Sequence, residues 1–368
     1  MAKHPVSRRN FLATLAASSA VATTQFTPLA GLAAPRSGSS GTEFEPLDPD
    51  RTIKIVSTGK FSEAEIKQIK SAAKNVDLKI LTDSKASEQL GEAEVIIGSV
   101  SAENLQAANS LKWIQVLGAG VENMGKALVE HPCILTNMQR IYAPVIAETA
   151  ISLLLSLTRG LTQVSFQAFK ERKWIQAPET VVLDDLYKKT IGIVGMGGIG
   201  SETARRLHYG FQMNVLATDA KPLPKPEFAA ELHDPGWLME MVPKVDVLMS
   251  AAPLTKETRG MFNEQVFQAM KPTAYFINVS RGGLVDQEAL VRALKENRIR
   301  GAGLDVVTPE PLPPESSLWT CPNLIITPHN SGQAAIRQVR LMALVTENVR
   351  RYSLGLPLLN VVDKVKGY

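Results

Sequence analysis

Three residues in the second half of the sequence could together assist the reduction of a carbonyl group by a separate hydride donor. Arg281, Glu310 and His329 each come shortly after an apolar segment with the composition of a β-strand. Histidine exchanges protons near neutral pH and can protonate a developing alkoxide, and a neighbouring glutamate would hold the ring in one tautomer. The guanidinium of an arginine binds a carboxylate and polarises an adjacent carbonyl. Taken separately, the three are more simply a solvated loop arginine, a helix-capping glutamate and a packing histidine.

A glycine-rich segment supplies a second kind of chemistry, the binding of a dinucleotide. Residues 195–200 have the pattern G-x-G-x-x-G, with an apolar strand before them and a helix after them. In this setting Gly195 permits a tight turn, Gly197 lets a pyrophosphate approach the backbone, and Gly200 lets the helix pack on the strand. The alternative is a glycine turn in an α/β domain that binds no ligand. The predicted cofactor-binding residues of this loop are Gly195, Gly197, Gly198, Ile199 and Gly200.

An acidic residue at the end of the next strand tests this prediction. Asp219 follows the apolar segment 214–218 and stands 19 residues after Gly200. A carboxylate in that position binds the ribose hydroxyls of the adenosine and repels a 2′-phosphate. The spacing therefore predicts NAD as the cofactor, with NADP as the less favoured alternative because Lys221 is close by.

Two series of strands and helices must position these groups. Strands separated by helices of this length predict parallel sheets with crossover helices, which is an α/β fold. The long apolar helix predicted over residues 144–159 would lie between two domains or in the core of one. A further helix is predicted over residues 334–352. The predicted strands are residues 53–56, 78–81, 95–97 and 113–117 in the first series, and residues 191–194, 214–218, 245–249, 274–279, 303–307 and 324–327 in the second.

Six short segments near the strand ends of the second series carry recognisable motifs: residues 253–255, 258–260, 278–286, 303–306, 309–312 and 327–329. With the glycine-rich loop, they resemble the signatures of the D-isomer-specific 2-hydroxyacid dehydrogenases. The resemblance covers nearly all of residues 51–368. It implies that Arg281 orients the substrate carboxylate and keto oxygen, that His329 donates or accepts the proton, and that Glu310 is the partner of His329.

The same resemblance implies further contacts. Asp305 would contact the nicotinamide end of the cofactor, and Pro253 and Val279 would line the cofactor site. The backbone at Ala119 and Gly120 would bind the substrate carboxylate. The implied activity is NAD-dependent hydride transfer between a small 2-oxo acid and a D-2-hydroxy acid. Residues 121–124 and 330–332 depart from the common family pattern, so the particular acid is left open.

The resemblance also implies a domain order and an oligomeric state. A Rossmann-type NAD-binding domain over residues 148–330 would be inserted into a flavodoxin-like substrate domain. The two parts of that substrate domain would be residues 51–147 and 331–368. Such enzymes are usually homodimers that associate through the cofactor domain.

The first 34 residues account for most of the net charge of +4, because they contain Lys3, Arg8 and Arg9 and no acid. The remaining 37 basic and 36 acidic residues nearly balance, which argues against nucleic acid as a partner. Paired arginines before Phe11, an Ala/Ser/Thr-rich run and small residues up to Ala34 indicate a twin-arginine export signal. The alternative is a disordered basic tail. Polar residues dilute the run, so no permanent membrane span is expected.

Export through the twin-arginine machinery predicts a folded, periplasmic protein joined to its signal by a flexible linker over residues 35–50. A rival hypothesis is a non-catalytic or internally recycling NAD-binding protein on the same scaffold. A hydrolase or metal enzyme is disfavoured, because the sequence has no G-x-S-x-G, no H-E-x-x-H and no Cys/His cluster. Cys133 and Cys321 stand alone, so two unpaired thiols and no metal site are expected.

Overall fold

The computed structural model describes residues 48, 50–81, 86–122, 125–179 and 181–368. The predicted export signal over residues 1–34 lies outside the described residues, as does nearly all of the predicted linker. Within the described part, no single helix is long and apolar enough to cross a membrane. One pair of helices, Ala143–Thr158 and Leu161–Glu171, meets the length and composition criterion together but is bent by 62°.

The first half of the described chain forms a five-stranded parallel sheet in the order β2-β1-β3-β4-β5. Helix α1 begins at a capping box, in which the Ser62 side chain accepts a hydrogen bond from the Glu65 backbone and Glu65 accepts one from the Ser62 backbone. The strands are β1 (Ile53–Ser57), β2 (Val76–Ile80), β3 (Val95–Ile97), β4 (Trp113–Gln115) and β5 (Ile134–Thr136); the helices are α1 (Glu63–Lys70), α2 (Ala86–Gly91), α3 (Ala102–Ala107) and α4 (Lys126–Glu130).

The second half forms a seven-stranded parallel sheet in the order β12-β11-β10-β9-β6-β7-β8. All six strands predicted for this series are present. The strands are β6 (Thr190–Val194), β7 (Asn214–Thr218), β8 (Glu231–His233), β9 (Val247–Ser250), β10 (Tyr275–Asn278), β11 (Gly301–Leu304) and β12 (Leu324–Ile326).

The helices of this half begin with the long helix α5. Gly303 in β11 leaves room for Leu153 of that helix, since a Cβ atom on Gly303 would lie 2.9 Å from the Leu153 Cβ. Helix α5 also packs against α7 and β10, so it lies on the second sheet. The helices are α5 (Ala143–Thr158), α6 (Phe166–Glu171), α7 (Gly198–Phe211), α8 (Leu238–Met241), α9 (Glu264–Ala269) and α10 (Gln287–Lys295), and short helical turns lie at Leu161–Ser165, Pro235–Trp237, Val242–Lys244, Gly282–Leu284 and Ser317–Thr320.

The last helix, α11 (Arg337–Ser353), returns the chain to the first sheet. Its Tyr352 ring lies 5.6 Å from that of Trp113 in β4. Asn348 donates to the Gln115 side chain at 2.9 Å, and Val361 forms an antiparallel bridge with Thr136. The C-terminal segment therefore packs with the strands of the first half.

The fold is thus a parallel-sheet α/β fold with two sheets, as expected. Two strands went unpredicted. Strand β8 contains a glutamate and a histidine and lies at the sheet edge, where burial does not require apolar residues. Strand β5 has only three residues, too few for a periodic pattern. Strand β4 ends at Gln115, two residues before the end of the predicted segment 113–117.

Candidate active site

Arg281 follows β10 and is held by its immediate neighbours. The Asn278 side chain donates to the backbone oxygen of Arg281 at 2.9 Å, and Arg281 Nη1 donates to the Ser280 backbone oxygen at 2.7 Å. The short turn Gly282–Leu284 packs directly on the chain after β11, because a Cβ atom on Gly282 would lie 2.1 Å from the Val307 backbone. The guanidinium therefore extends from a well-anchored turn at the carboxyl edge of the second sheet.

His329 and Glu310 form the pair that the sequence predicts. His329 Nδ1 lies 2.6 Å from Glu310 Oε2, and the other oxygen, Oε1, accepts a hydrogen bond from the Val307 backbone at 3.0 Å. Both side chains are partly exposed, at 46% for His329 and 36% for Glu310. Since Nδ1 is engaged, the ring presents Nε2 for proton exchange, and Nε2 makes no hydrogen bond with any described residue.

The buried Asp305 organises the loop that carries His329. Its side chain accepts hydrogen bonds from the Thr327 hydroxyl at 2.6 Å and from the backbone of Asn330 and Ser331 at 3.1–3.3 Å. Its backbone oxygen also accepts a hydrogen bond from the backbone of His329, which has a φ of +50°. Asp305 thus positions the histidine; its contact with a nicotinamide stays a prediction.

The loop predicted to bind the substrate carboxylate reaches Arg281 from the other sheet. The Ala119 backbone oxygen accepts a hydrogen bond from the Asn137 side chain at 2.7 Å, which shapes the loop. Gly120 lies so close to the guanidinium that a Cβ atom there would be 1.9 Å from Arg281 Nη2. A larger residue at position 120 would therefore collide with Arg281.

Sequence reasoning missed the partner of Arg281. Arg281 Nε donates to Glu122 Oε1 at 2.5 Å, across 159 residues of sequence. Burial raises the pKa of the Glu122 carboxyl, but the hydrogen bond from Arg281 and the charges of Arg281 and His329 lower it, and the net pKa lies below its ordinary value. The one available signal was an acidic residue in a loop expected to bind an anion.

The glycine-rich loop has the geometry that a dinucleotide requires. Gly195 has a φ of +97°, which favours glycine. A Cβ atom on Gly200 would lie 2.0 Å from the Gly195 backbone oxygen, so helix and strand are in close contact there. Around Gly197, in contrast, a Cβ atom would meet no atom within 4 Å. Gly198 and Ile199 open helix α7, whose N-terminus attracts phosphate.

Asp219 lies beside this loop, as its spacing predicted. One carboxylate oxygen accepts a hydrogen bond from the Met196 backbone at 2.7 Å, and the other accepts one from the Lys221 backbone at 2.8 Å. The Lys221 ammonium lies 4.5 Å from the centre of the Tyr368 ring. The loop therefore has an open cradle for a pyrophosphate with a carboxylate next to it, and these residues fit a dinucleotide.

The remaining predicted cofactor residues lie at the same sheet edge. Pro253 is exposed after β9, and its backbone oxygen accepts a hydrogen bond from the Thr258 hydroxyl at 2.7 Å. Val279 is buried directly after β10. Both cysteines are free. Among the described residues, no group of three or more His, Cys, Asp or Glu side chains could hold a metal ion.

Comparison with known proteins identifies a matching family model and several relatives of this chain. Residues 151–331 match the family model described as the D-isomer specific 2-hydroxyacid dehydrogenase, NAD binding domain. The glyoxylate reductase of Korarchaeum cryptofilum (strain OPF8) is 34% identical over 260 residues, which cover 70% of this chain and 77% of that protein. The glyoxylate/hydroxypyruvate reductase B of Klebsiella pneumoniae (strain 342) is 32% identical over 276 residues, covering 73% of this chain and 84% of that protein.

A solved structure supports the same relationship. The D-isomer specific 2-hydroxyacid dehydrogenase from Xanthobacter autotrophicus Py2, in complex with NADPH and MES, superposes with a TM-score of 0.73 at 25% sequence identity. The match covers 86% of this chain and 100% of that chain.

Proposed function

Since the chain belongs to the D-isomer specific 2-hydroxyacid dehydrogenase family of oxidoreductases, we propose that it interconverts a small 2-oxo acid and a D-2-hydroxy acid, with NAD(H) as hydride carrier. The observation that carries the proposal is the 2.6 Å contact between His329 and Glu310 at the sheet edge that also presents Arg281. A protein that only binds dinucleotides has no need of an aligned histidine–carboxylate pair.

Each residue of the site has a defined task in this reaction. Arg281 binds the substrate carboxylate and polarises the keto group, and the backbone of Ala119 and Gly120 completes the carboxylate site. Nε2 of His329 delivers the proton to the keto oxygen in reduction and removes it in oxidation. Glu310 holds the ring and stabilises its charged form. When bound, the nicotinamide cofactor supplies or accepts the hydride.

We propose NAD rather than NADP because of Asp219. A 2′-phosphate on the adenosine ribose would meet the Asp219 carboxylate, which already accepts two backbone hydrogen bonds and is fixed in place. The Xanthobacter relative was solved with NADPH, so the family accommodates both cofactors. Comparing kcat/KM for NADH and NADPH tests the choice, and a preference for NADPH would contradict it.

The proton-transfer role is tested by replacing His329. We expect His329→Ala to lower kcat for 2-oxo acid reduction by about 100-fold or more while leaving NADH affinity unchanged. His131→Ala, outside the site, is the control and should retain full turnover. Wild-type protein that binds NADH but reduces none of a broad panel of 2-oxo acids would refute the proposed function. A His329→Ala variant with full activity would refute the role of the histidine.

We also propose the domain division given above: a cofactor domain over residues 148–330, and a substrate domain made of residues 51–147 and 331–368. We further propose a homodimer formed through the cofactor domain. Exposed apolar side chains at Phe169 (88%) and Trp174 (94%) support it, because large apolar surfaces usually mark an interface. Light scattering should give twice the chain mass, and Phe169→Glu with Trp174→Glu should give monomers; a monomeric wild type would contradict the proposal.

Finally, we propose that the protein is exported folded to the periplasm, on the basis of the paired arginines and small-residue run of residues 1–34. Fractionation of expressing cells should recover the protein in the periplasm with the signal removed. Replacing Arg8 and Arg9 with lysine should retain the full-length chain in the cytoplasm. Export of that variant at the normal level would contradict the twin-arginine route.

A further inference from the structure

Arg281 already holds a carboxylate of its own chain. Glu122 Oε1 accepts a hydrogen bond from Arg281 Nε at 2.5 Å, and only 27% of the Glu122 side chain is exposed. Gly120, in the same loop, has no side chain to keep the guanidinium and the carboxylate apart. Glu122 therefore binds the group that the substrate carboxylate needs.

The hydrogen-bonding capacity of Arg281 turns this contact into competition. A guanidinium binds a carboxylate most strongly through two parallel N–H groups. In Arg281, Nε donates to Glu122 and Nη1 donates to the backbone oxygen of Ser280 at 2.7 Å. One N–H on Nε and one on Nη1 are thus already engaged. The Ser280 contact is within the local turn, so the Glu122 contact is the one that a substrate can displace.

Glu122 gives a negative charge to a cavity that is otherwise lined by uncharged residues. Glu122 and Gly120 line a cavity of about 440 Å³ in the first half of the chain. The other lining residues are uncharged and include Thr58, Ser99 and Val100. Among the described residues, Glu122 is the one charged group that lines the cavity. A substrate group that enters this space meets a carboxylate and no cation.

We propose that Glu122 is a specificity-determining residue that competes with the substrate carboxylate for Arg281 and excludes 2-oxo acids with a second carboxylate. This inference rests on the proposed function. A monocarboxylic 2-oxo acid has only to displace Glu122. A dicarboxylic one must also place its second negative charge in the cavity that Glu122 lines, where the described lining residues include no cation.

The kinetic test compares Glu122→Gln with wild type, using glyoxylate as the monocarboxylate and ketomalonate as the dicarboxylate. Glutamine keeps the size of the side chain and removes its charge. We expect KM for glyoxylate to fall about 3- to 10-fold with kcat within about 2-fold, and KM for ketomalonate to fall about tenfold more. The control is Glu130→Gln, an exposed glutamate paired with Lys126 on helix α4, which should change neither KM. An unchanged or higher KM for glyoxylate, or an equal effect on the two substrates, would overturn the inference.

A binding measurement keeps this inference separate from the proposed function. Titration calorimetry of oxamate, an unreactive carboxylate, into the NADH-loaded protein needs no turnover. Glu122→Gln and Glu122→Ala should both bind oxamate about 3- to 10-fold more tightly than wild type. Equal or weaker binding by both variants would overturn the role of Glu122 whether or not the protein reduces 2-oxo acids. Absence of turnover with tighter oxamate binding would refute only the proposed function.

Discussion

Gly197 and Gly200 lie three residues apart in one loop, and the structure predicts opposite consequences for the same substitution. In Gly200→Ala the new Cβ atom would lie 2.0 Å from the Gly195 backbone oxygen, roughly 1.5 Å inside the optimal separation of non-bonded heavy atoms. The obstacle is backbone, which cannot rotate away as a side chain can. In Gly197→Ala the new atom meets nothing within 4 Å, and the φ of −65° lies outside the left-handed region that favours glycine.

The magnitudes follow from these distances. Forcing an extra carbon into a packed region costs about 1–3 kcal/mol, and a collision with backbone lies at the upper end of that range. Gly200→Ala should therefore unfold at a temperature lower by roughly 5–10 °C. Gly197→Ala should lose at most about 1 kcal/mol of stability, because glycine is preferred over alanine at a helix N-cap. Its methyl group would instead hold the pyrophosphate away from the backbone and so cost a charge-assisted hydrogen bond. That loss of about 1.5–3 kcal/mol weakens NADH binding by roughly 10- to 150-fold.

Two measurements on each variant separate the two effects. Thermal unfolding without cofactor reports the packing cost, and NADH fluorescence titration at a temperature where all variants are folded reports the binding cost. Gly210→Ala, on the same helix with open space around it, is the control: it should bind NADH like wild type and should not unfold at a lower temperature, because alanine is favoured over glycine within a helix by about 1 kcal/mol. Destabilisation of Gly197→Ala as large as that of Gly200→Ala, or binding of NADH by Gly197→Ala as tight as that of wild type, would contradict these predictions.

Three further predictions concern charged residues. Arg281→Lys keeps the charge but loses the planar fork, so steady-state kinetics should show kcat/KM for 2-oxo acids reduced by about 100-fold; a reduction below about threefold would contradict bidentate binding. Asp219→Ser should raise the NADPH-to-NADH ratio of kcat/KM by about tenfold or more, and an unchanged ratio would show that Asp219 does not select the cofactor. Asp184 accepts hydrogen bonds from Lys189 at 2.6 Å and from Arg300 at 3.1 Å. Burial raises the pKa of Asp184, but these two cations lower it by more, so the net pKa is below the ordinary value. A carboxylate with a lowered pKa stabilises the fold fully above its unfolded-state pKa and loses that effect as the pH falls through its folded-state pKa. Asp184→Asn should therefore cost about 1 kcal/mol in urea unfolding at about pH 7 and progressively less as the pH falls below the ordinary pKa of an aspartate, and a cost that does not fall with pH would refute this sign.

Much of the site was predictable from the sequence because its determinants are local. The glycine spacing, the position of Asp219 after its strand, and the apolar segments before Arg281 and His329 are all patterns within short stretches. Parallel strands bring their carboxyl ends to one edge, so residues far apart in sequence could be assigned to one site without coordinates. The 2.6 Å contact between His329 and Glu310 fits that expectation.

Other features depended on how the two sheets meet, which no local pattern encodes. The contact of Glu122 with Arg281 joins a loop that follows the first sheet to a turn that follows the second, across 159 residues of sequence. Its 2.5 Å hydrogen bond forms only where the packed chain brings the two side chains together. The hydrogen bonds of Asp305 to the His329 loop also required the tertiary structure, but they lie within the second sheet, between the ends of the adjacent strands β11 and β12. The sequence by itself therefore determined which residues could carry out the proposed chemistry. Only the tertiary structure decided which carboxylate lies against Arg281, because competition between charges depends on distances that only the packed chain defines.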